Sequence, residues 1–168
     1  MPKRPTPLQN RLARYQAVRK SNVLASVLKP ADASRSVFEV AWDVLRSQAF
    51  PLEVTDAADL ADRMTRSEAF GAAQAAGWVA GVLTARFAYP PAKDELPDPK
   101  LCKLDDQVIA ALGADSVWHA NSDDHPLPVF RESGRGFGWS AITCATFDVV
   151  VVARGNGLDL VLASFDED

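Results

Sequence analysis

Both histidines of this chain fall in one short stretch, His119-Ala-Asn-Ser-Asp123-Asp124-His125. Paired imidazoles and carboxylates are the ligand types that hold Zn²⁺ or another divalent ion. The spacing matches no metal motif, however, and Asp and Asn ahead of Pro126 are ordinary turn formers. The stretch reads as a polar loop. His119, Asp123, Asp124 and His125 are its weak metal candidates, and no metal or other cofactor is expected.

A second chemistry needs a nucleophile. Cys144 with His119 or His125 would make a thiol and base pair, which requires a thiolate in an electropositive, partly exposed setting. Cys144 lies in Ala-Ile-Thr-Cys-Ala-Thr, on or near a strand. Free cysteine is among the most buried residue types, so core packing is expected. Ser140 and Thr143 lack the Gly-x-Ser-x-Gly elbow. The third candidate is Arg131-Glu-Ser-Gly-Arg135-Gly-Phe137-Gly-Trp139. Backbone amides with Arg135 could hold an anion, and Phe137 and Trp139 could stack a ring. These glycines open no helix, so they form no dinucleotide fingerprint. A flexible loop entering a strand, with Trp139 in the core, explains the pattern better.

Charge is more informative than motif. The net charge of −4 conceals a division. Residues 1–31 contain 7 of the 18 basic side chains, Lys3, Arg4, Arg11, Arg14, Arg19, Lys20 and Lys29, and none of the 22 acidic ones. Such a split suggests a basic arm that binds something acidic: nucleic acid, a partner protein, or the protein's own body.

The elements that position these residues follow from periodicity and punctuation. Thr6-Pro7 is a helix start. A helix is predicted to run to about Lys29, with Leu8, Leu12, Tyr15, Val18, Val23 and Val27 on one broad face. Its cations do not gather into the single stripe of a groove-reading helix. Arg19 falls inside the apolar face, Arg11 at its edge, and Arg14 and Lys20 on opposite flanks. Asp32 or Ser34 is predicted to cap a second helix through Ala49, with Phe38, Trp42 and Leu45 inward. A third covers 57–67. A fourth covers 69–88, although 78–87 also reads as a strand. Its small residues permit close packing. Residues 89–99, rich in proline, form a loop. Asp98-Pro99 caps a fifth helix ending at Leu112 before Gly113. Short strands are predicted at 117–120, 129–132 and 138–144.

The strongest structural signal is the stretch 147–165. The β-branched run Val149 to Val152 and the apolar run Leu160 to Ala163 flank Gly155-Asn156-Gly157, a hairpin in a covered, central position. The acidic end, Asp166 to Asp168, discourages edge pairing. Helices followed by strands predict an α+β fold: about five helices on a small antiparallel C-terminal sheet ending in a hairpin. The division is a basic arm, 1–29, and one α+β domain, 30–168.

With 48% hydrophobic residues the chain can bury a core. No stretch offers the roughly 20 strongly apolar residues of a helical span. The best, 69–85, is too rich in Ala and Gly. Two cysteines without a secretory signal suggest the cytoplasm.

The function these features favour is a non-enzymatic interaction protein: an inhibitor, adaptor or accessory factor that binds a protein partner or itself. One form such a factor takes is a phage- or mobile-element-encoded inhibitor of a host nucleic-acid complex, an analogy only. A small enzyme or ligand-binding domain using loops 119–125 and 131–139 is the first alternative. A nucleic-acid binder through residues 3–29 is the second. The basic helix is expected to dock on its own subunit or a second copy, apolar face inward, with its cations paired to body carboxylates. The interaction candidates are Arg4, Arg11, Arg14, Arg19, Lys20, Arg131, Arg135, Phe137 and Trp139.

Overall fold

A computed structural model describes residues 6–19, 22–30, 32–84, 97–131 and 136–166, with the backbone alone at 17–19. Among these residues lie five α-helices and five strands: α1 (Pro7–Arg19), β1 (Val23–Leu28), α2 (Val37–Ser47), α3 (Ala57–Met64), β2 (Phe70–Gly71), α4 (Trp78–Thr84), α5 (Pro99–Leu112), β3 (Val117–Ala120), β4 (Phe147–Gly155) and β5 (Leu158–Asp166). The fold is α+β. All strand pairs are antiparallel, in the order β1-β5-β4-β3-β2.

The hairpin occupies the centre. Val149 to Val152 and Leu160 to Ala163 are fully buried, because helices cover both faces of the sheet. Odd-numbered residues of β4, Val149, Val151 and Ala153, face α1, α4 and α5, while Val150 and Val152 face α2 and α3. A continuous apolar run is what a strand with two covered faces requires. The turn consists of Asn156 and Gly157 at φ 48° and 69°, a two-residue connection that matches the strand twist. Gly155 has a different role. It ends β4, and a Cβ there would lie 2.1 Å from the Leu112 carbonyl oxygen at the end of α5.

Local signals set several elements. Ser36, rather than Asp32 or Ser34, caps α2: its side chain accepts from the Glu39 amide at 3.1 Å, and Glu39 accepts from the Ser36 amide at 2.7 Å. Asp56 caps α3, and Asp98 with Pro99 starts α5 as predicted.

Four expectations need correction. The helix predicted to reach Lys29 stops at Arg19, and Val23 to Leu28 form β1, an edge strand paired with β5. Tertiary pairing overrides the helical periodicity of its valines. The fourth helix begins only at Trp78, and residues 85–88 lie outside the described residues. Phe70-Gly71 pairs with β3, and Gly77 at φ 83° separates that segment from α4. The strand predicted at 129–132 is a 3-10 turn at Pro128–Phe130, where proline lacks the N–H a ladder needs. The 138–144 segment forms no strand; its one sheet-like contact is an isolated bridge between Thr143 and Leu52. The loop at 89–99 lies outside the described residues up to 96, as do Glu167 and Asp168.

α1 covers the sheet's edge. Leu12 is fully buried, with Leu8 and Tyr15 packed beside it. On an adjoining face of the helix, the side-chain oxygens of Gln16 and Gln9 accept from the amides of Ala25 at 3.2 Å and Val27 at 2.6 Å. Unpaired edge amides are thereby satisfied by side chains.

Candidate functional site

α1 has a third face, and it is cationic. Arg11 and Arg14 are exposed one turn apart, on the flank opposite Gln9 and Gln16. Across from them, α5 presents Lys100 and Lys103, again one turn apart and exposed. Between the helices lies a cleft of about 510 Å³ lined by Arg11, Arg14, Tyr15, Lys100, Lys103, Leu104 and Gln107. Leu104 is buried and the Tyr15 ring half-buried, so the floor is apolar and the walls are positive. The Arg11 guanidinium donates to the Gln107 side-chain oxygen, which orients it. Among the described residues no carboxylate lines the cleft. Among the described residues neither Arg11 nor Arg14 is ion-paired; the pairs present are Arg35–Asp43, Arg63–Glu53, Arg63–Asp59, Arg66–Asp62 and Arg154–Asp159.

This corrects half of the docking expectation. α1 does bury its apolar face on its own body, but its described arginines meet lysines and a glutamine, not carboxylates. Asp98 and Asp105 are placed elsewhere, and the exposed Asp106 of α5 is not among the described lining residues. Asp98 caps the helix, with its oxygen 2.7 Å from the Lys100 amide. Asp105 is buried and accepts from the amides of Gly77, Val79 and Ala80 at 2.7, 2.8 and 3.3 Å, capping α4 from a neighbouring helix. Its burial pushes its pKa up.

Of the other candidates, Arg4, Lys20 and Arg135 lie outside the described residues, and so does the side chain of Arg19. Arg131 donates to the Pro126 carbonyl at 3.1 Å and lies 5.7 Å from the Phe137 ring centre. Phe137 stacks on Trp139 at 5.6 Å, and Trp139 meets Phe147 at 5.2 Å. Loops 119–125 and 136–142 are joined directly: the Asn121 side chain donates to the Ser140 carbonyl at 2.9 Å, and Asp124 accepts from the Gly138 amide at 3.0 Å.

The four metal candidates do not converge. His119 packs edge-on to Phe38 of α2, while His125 sits between Trp78 of α4 and Phe130. Asp123 accepts from the Glu68 amide and Asp124 from Gly138. Among the described residues no group of three or more His, Cys, Asp or Glu side chains is gathered as a metal site. Cys144, expected in the core, is exposed, as is Cys102. The segment turns outward there because the amides of Ile142 and Thr143 are taken by the buried Asp148.

His125 is held neutral. Its Nδ1 accepts from the Leu127 amide at 3.0 Å, so Nε2 carries the proton that faces the Ala76 carbonyl at 3.3 Å. Burial lowers its pKa from 6.5 to about 4. A depressed pKa means the unfolded chain binds the proton first. Stability is therefore complete above about pH 6.5 and falls as the pH drops toward 4. The loss should be about 1–2 kcal/mol for a partly exposed ring. Urea melts between these pH values should show it, and His125→Gln should flatten the profile. His119, also lowered by burial, acts in the same sense, and Asp105 and Asp148, both raised, oppose it at the acidic end. A wild-type profile no steeper than that of the variant would contradict this account.

Lys100, Lys103 and Gln107 were not among the residues singled out from sequence, and Tyr15 was read only as part of the apolar face of α1. The spacing of 100, 103 and 107 along one face of α5 is readable there, but its pairing with α1 is not. Comparison of the chain with protein families, with curated proteins and with solved structures found no match in any of the three. Fold and site define a class in structural terms: a three-layer α+β domain with a cationic cleft between two helices. Among the described residues no helix is long and apolar enough to cross a membrane.

Proposed function

We propose that this chain is a non-enzymatic interaction protein that receives an anionic group of its partner in the cleft between α1 and α5. The observation that carries this reading is the cleft itself: four cations, no carboxylate among its described lining residues and an apolar floor, in a chain that is acidic overall. Like charges held together in one concavity raise the folded state's energy and attract an anion, so such an arrangement is more consistent with recognition than with stability. The alternative built on loops 119–125 and 131–139 has less support: among their described residues Asn121, Ser122 and Asp124 are engaged in holding the loops together, while His119 Nδ1 and Arg131 Nε are buried without a hydrogen-bond partner but lie in different surroundings, beside Phe38 and Phe137. The two exposed cysteines fit a reducing, cytoplasmic setting.

The test uses a compact fluorescent anion, pyrene trisulfonate, titrated at low salt. Binding should weaken ~10-fold or more in an Arg14→Glu, Lys103→Glu variant. It should change little in Arg46→Glu, an exposed cation stacked on Trp42 of α2. Equal losses in both variants, or no binding to the native protein, would remove the cleft from consideration.

A further inference from the structure

The geometry points to a more specific ligand: we propose that the α1–α5 cleft binds a compact oligophosphate joined to a ring, the di- or triphosphate of a nucleoside, either free or at the 5′ end of a strand. The inference rests on the reading above that the cleft receives an anion.

Size comes first. A cleft of about 510 Å³ is in the range of small-ligand sites and is concave. A stable protein–protein contact needs far more surface than it offers. Charge comes second. Two arginines on one wall and two lysines on the other face that volume. Single carboxylates along a peptide bring one charge each and spread it along a chain. Phosphate groups concentrate charge and acceptor oxygens, and both the arginine fork and the lysine point charge suit them. Lys100 lies in the first turn of α5, at the end that Asp98 caps, and Lys103 follows one turn further along the same wall. The apolar floor comes third: Tyr15 and Leu104 offer a platform on which a base can rest.

The rest of the surface selects against a polymer lying across it. Beyond residue 31 the chain carries all 22 acidic side chains and only 11 basic ones. A nucleic-acid backbone laid across a body of that composition would meet net repulsion, whereas a terminal oligophosphate needs only the cleft.

The test is calorimetric titration of the full chain with ATP, AMP, a 5′-triphosphate single-stranded RNA, the same RNA with a 5′-hydroxyl, and a polyglutamate peptide. ATP should bind ~10-fold or more tightly than AMP, and Arg14→Glu, Lys103→Glu should abolish binding without lowering the melting temperature. Arg14→Gln, Lys103→Gln should weaken binding in the same order, which guards against a folding defect in the reversal. Triphosphate RNA binding more tightly than ATP assigns the strand end as the source; equal or weaker binding assigns the free nucleotide. If the 5′-hydroxyl RNA binds as well as the triphosphate RNA, or ATP binding survives both variants, the inference is overturned. If polyglutamate or the trisulfonate binds while phosphates do not, it is overturned and the anion-partner reading stands. If no anion binds, both fall.

Discussion

Replacing Asp148 by alanine should destabilise the fold by about 3–5 kcal/mol, the largest effect expected of any polar substitution here. Asp148 is fully buried on β4. Its carboxylate accepts from the amides of Ile142 and Thr143 at 3.0 and 2.8 Å, the Thr143 hydroxyl at 2.9 Å and the Asn121 side chain at 2.5 Å. Asn121 in turn accepts from the Val150 amide at 2.8 Å and donates to Ser140. One side chain thus anchors two segments that form no ladder of their own. Alanine would leave those donors buried and unpaired, each costing about 1–3 kcal/mol unless water enters. Burial also raises the Asp148 pKa, so its charge is itself a burden. Asn at this position should therefore cost less than alanine. Urea denaturation reads both variants, and an alanine variant within ~1 kcal/mol of the native protein would show that the network is dispensable.

The second large effect concerns α1. Leu12→Ala should cost about 2–5 kcal/mol, the range for deleting a fully buried leucine. It should also reach the sheet's edge. If α1 loosens, Gln9 and Gln16 withdraw from Val27 and Ala25, and those two amides should exchange with solvent faster than the amides of Leu24 and Ser26, which face β5. Hydrogen exchange followed by residue resolves the pattern. Uniform acceleration along β1 would mean that the whole strand detaches, not that the helix is its cover.

The contrast between these regions explains what the sequence disclosed. The hairpin, α5 and β3 were legible because their determinants are local: a β-branched run, Asn156-Gly157, and the Asp98-Pro99 start with its Gly113 stop. β1 was not. Its partner, β5, is distant in the chain, and Val23 and Val27 satisfy a helical spacing as readily as a strand's. The segments at 129–132 and 138–144 looked like strands by composition, but Pro128 lacks a ladder N–H in the first, and the side chains of Asp148 and Asn121 take up backbone groups of the second. Half of the cleft was visible as basic residues on α1. The other half needed the crossing of two helices far apart in sequence. The glutamines of α1 gave no signal at all, because an exposed Gln is unremarkable until an edge strand is placed beside it.

The central claim is that α1 and α5 together form one anion-binding surface. Amide chemical shifts followed during titration with tripolyphosphate test it most directly. Shifts that saturate together at Arg11, Arg14, Lys100, Lys103 and Gln107, and leave β1 and loops 119–125 and 136–142 unmoved, are the predicted result. Shifts centred on those loops, or no saturable shift in either helix, would contradict it.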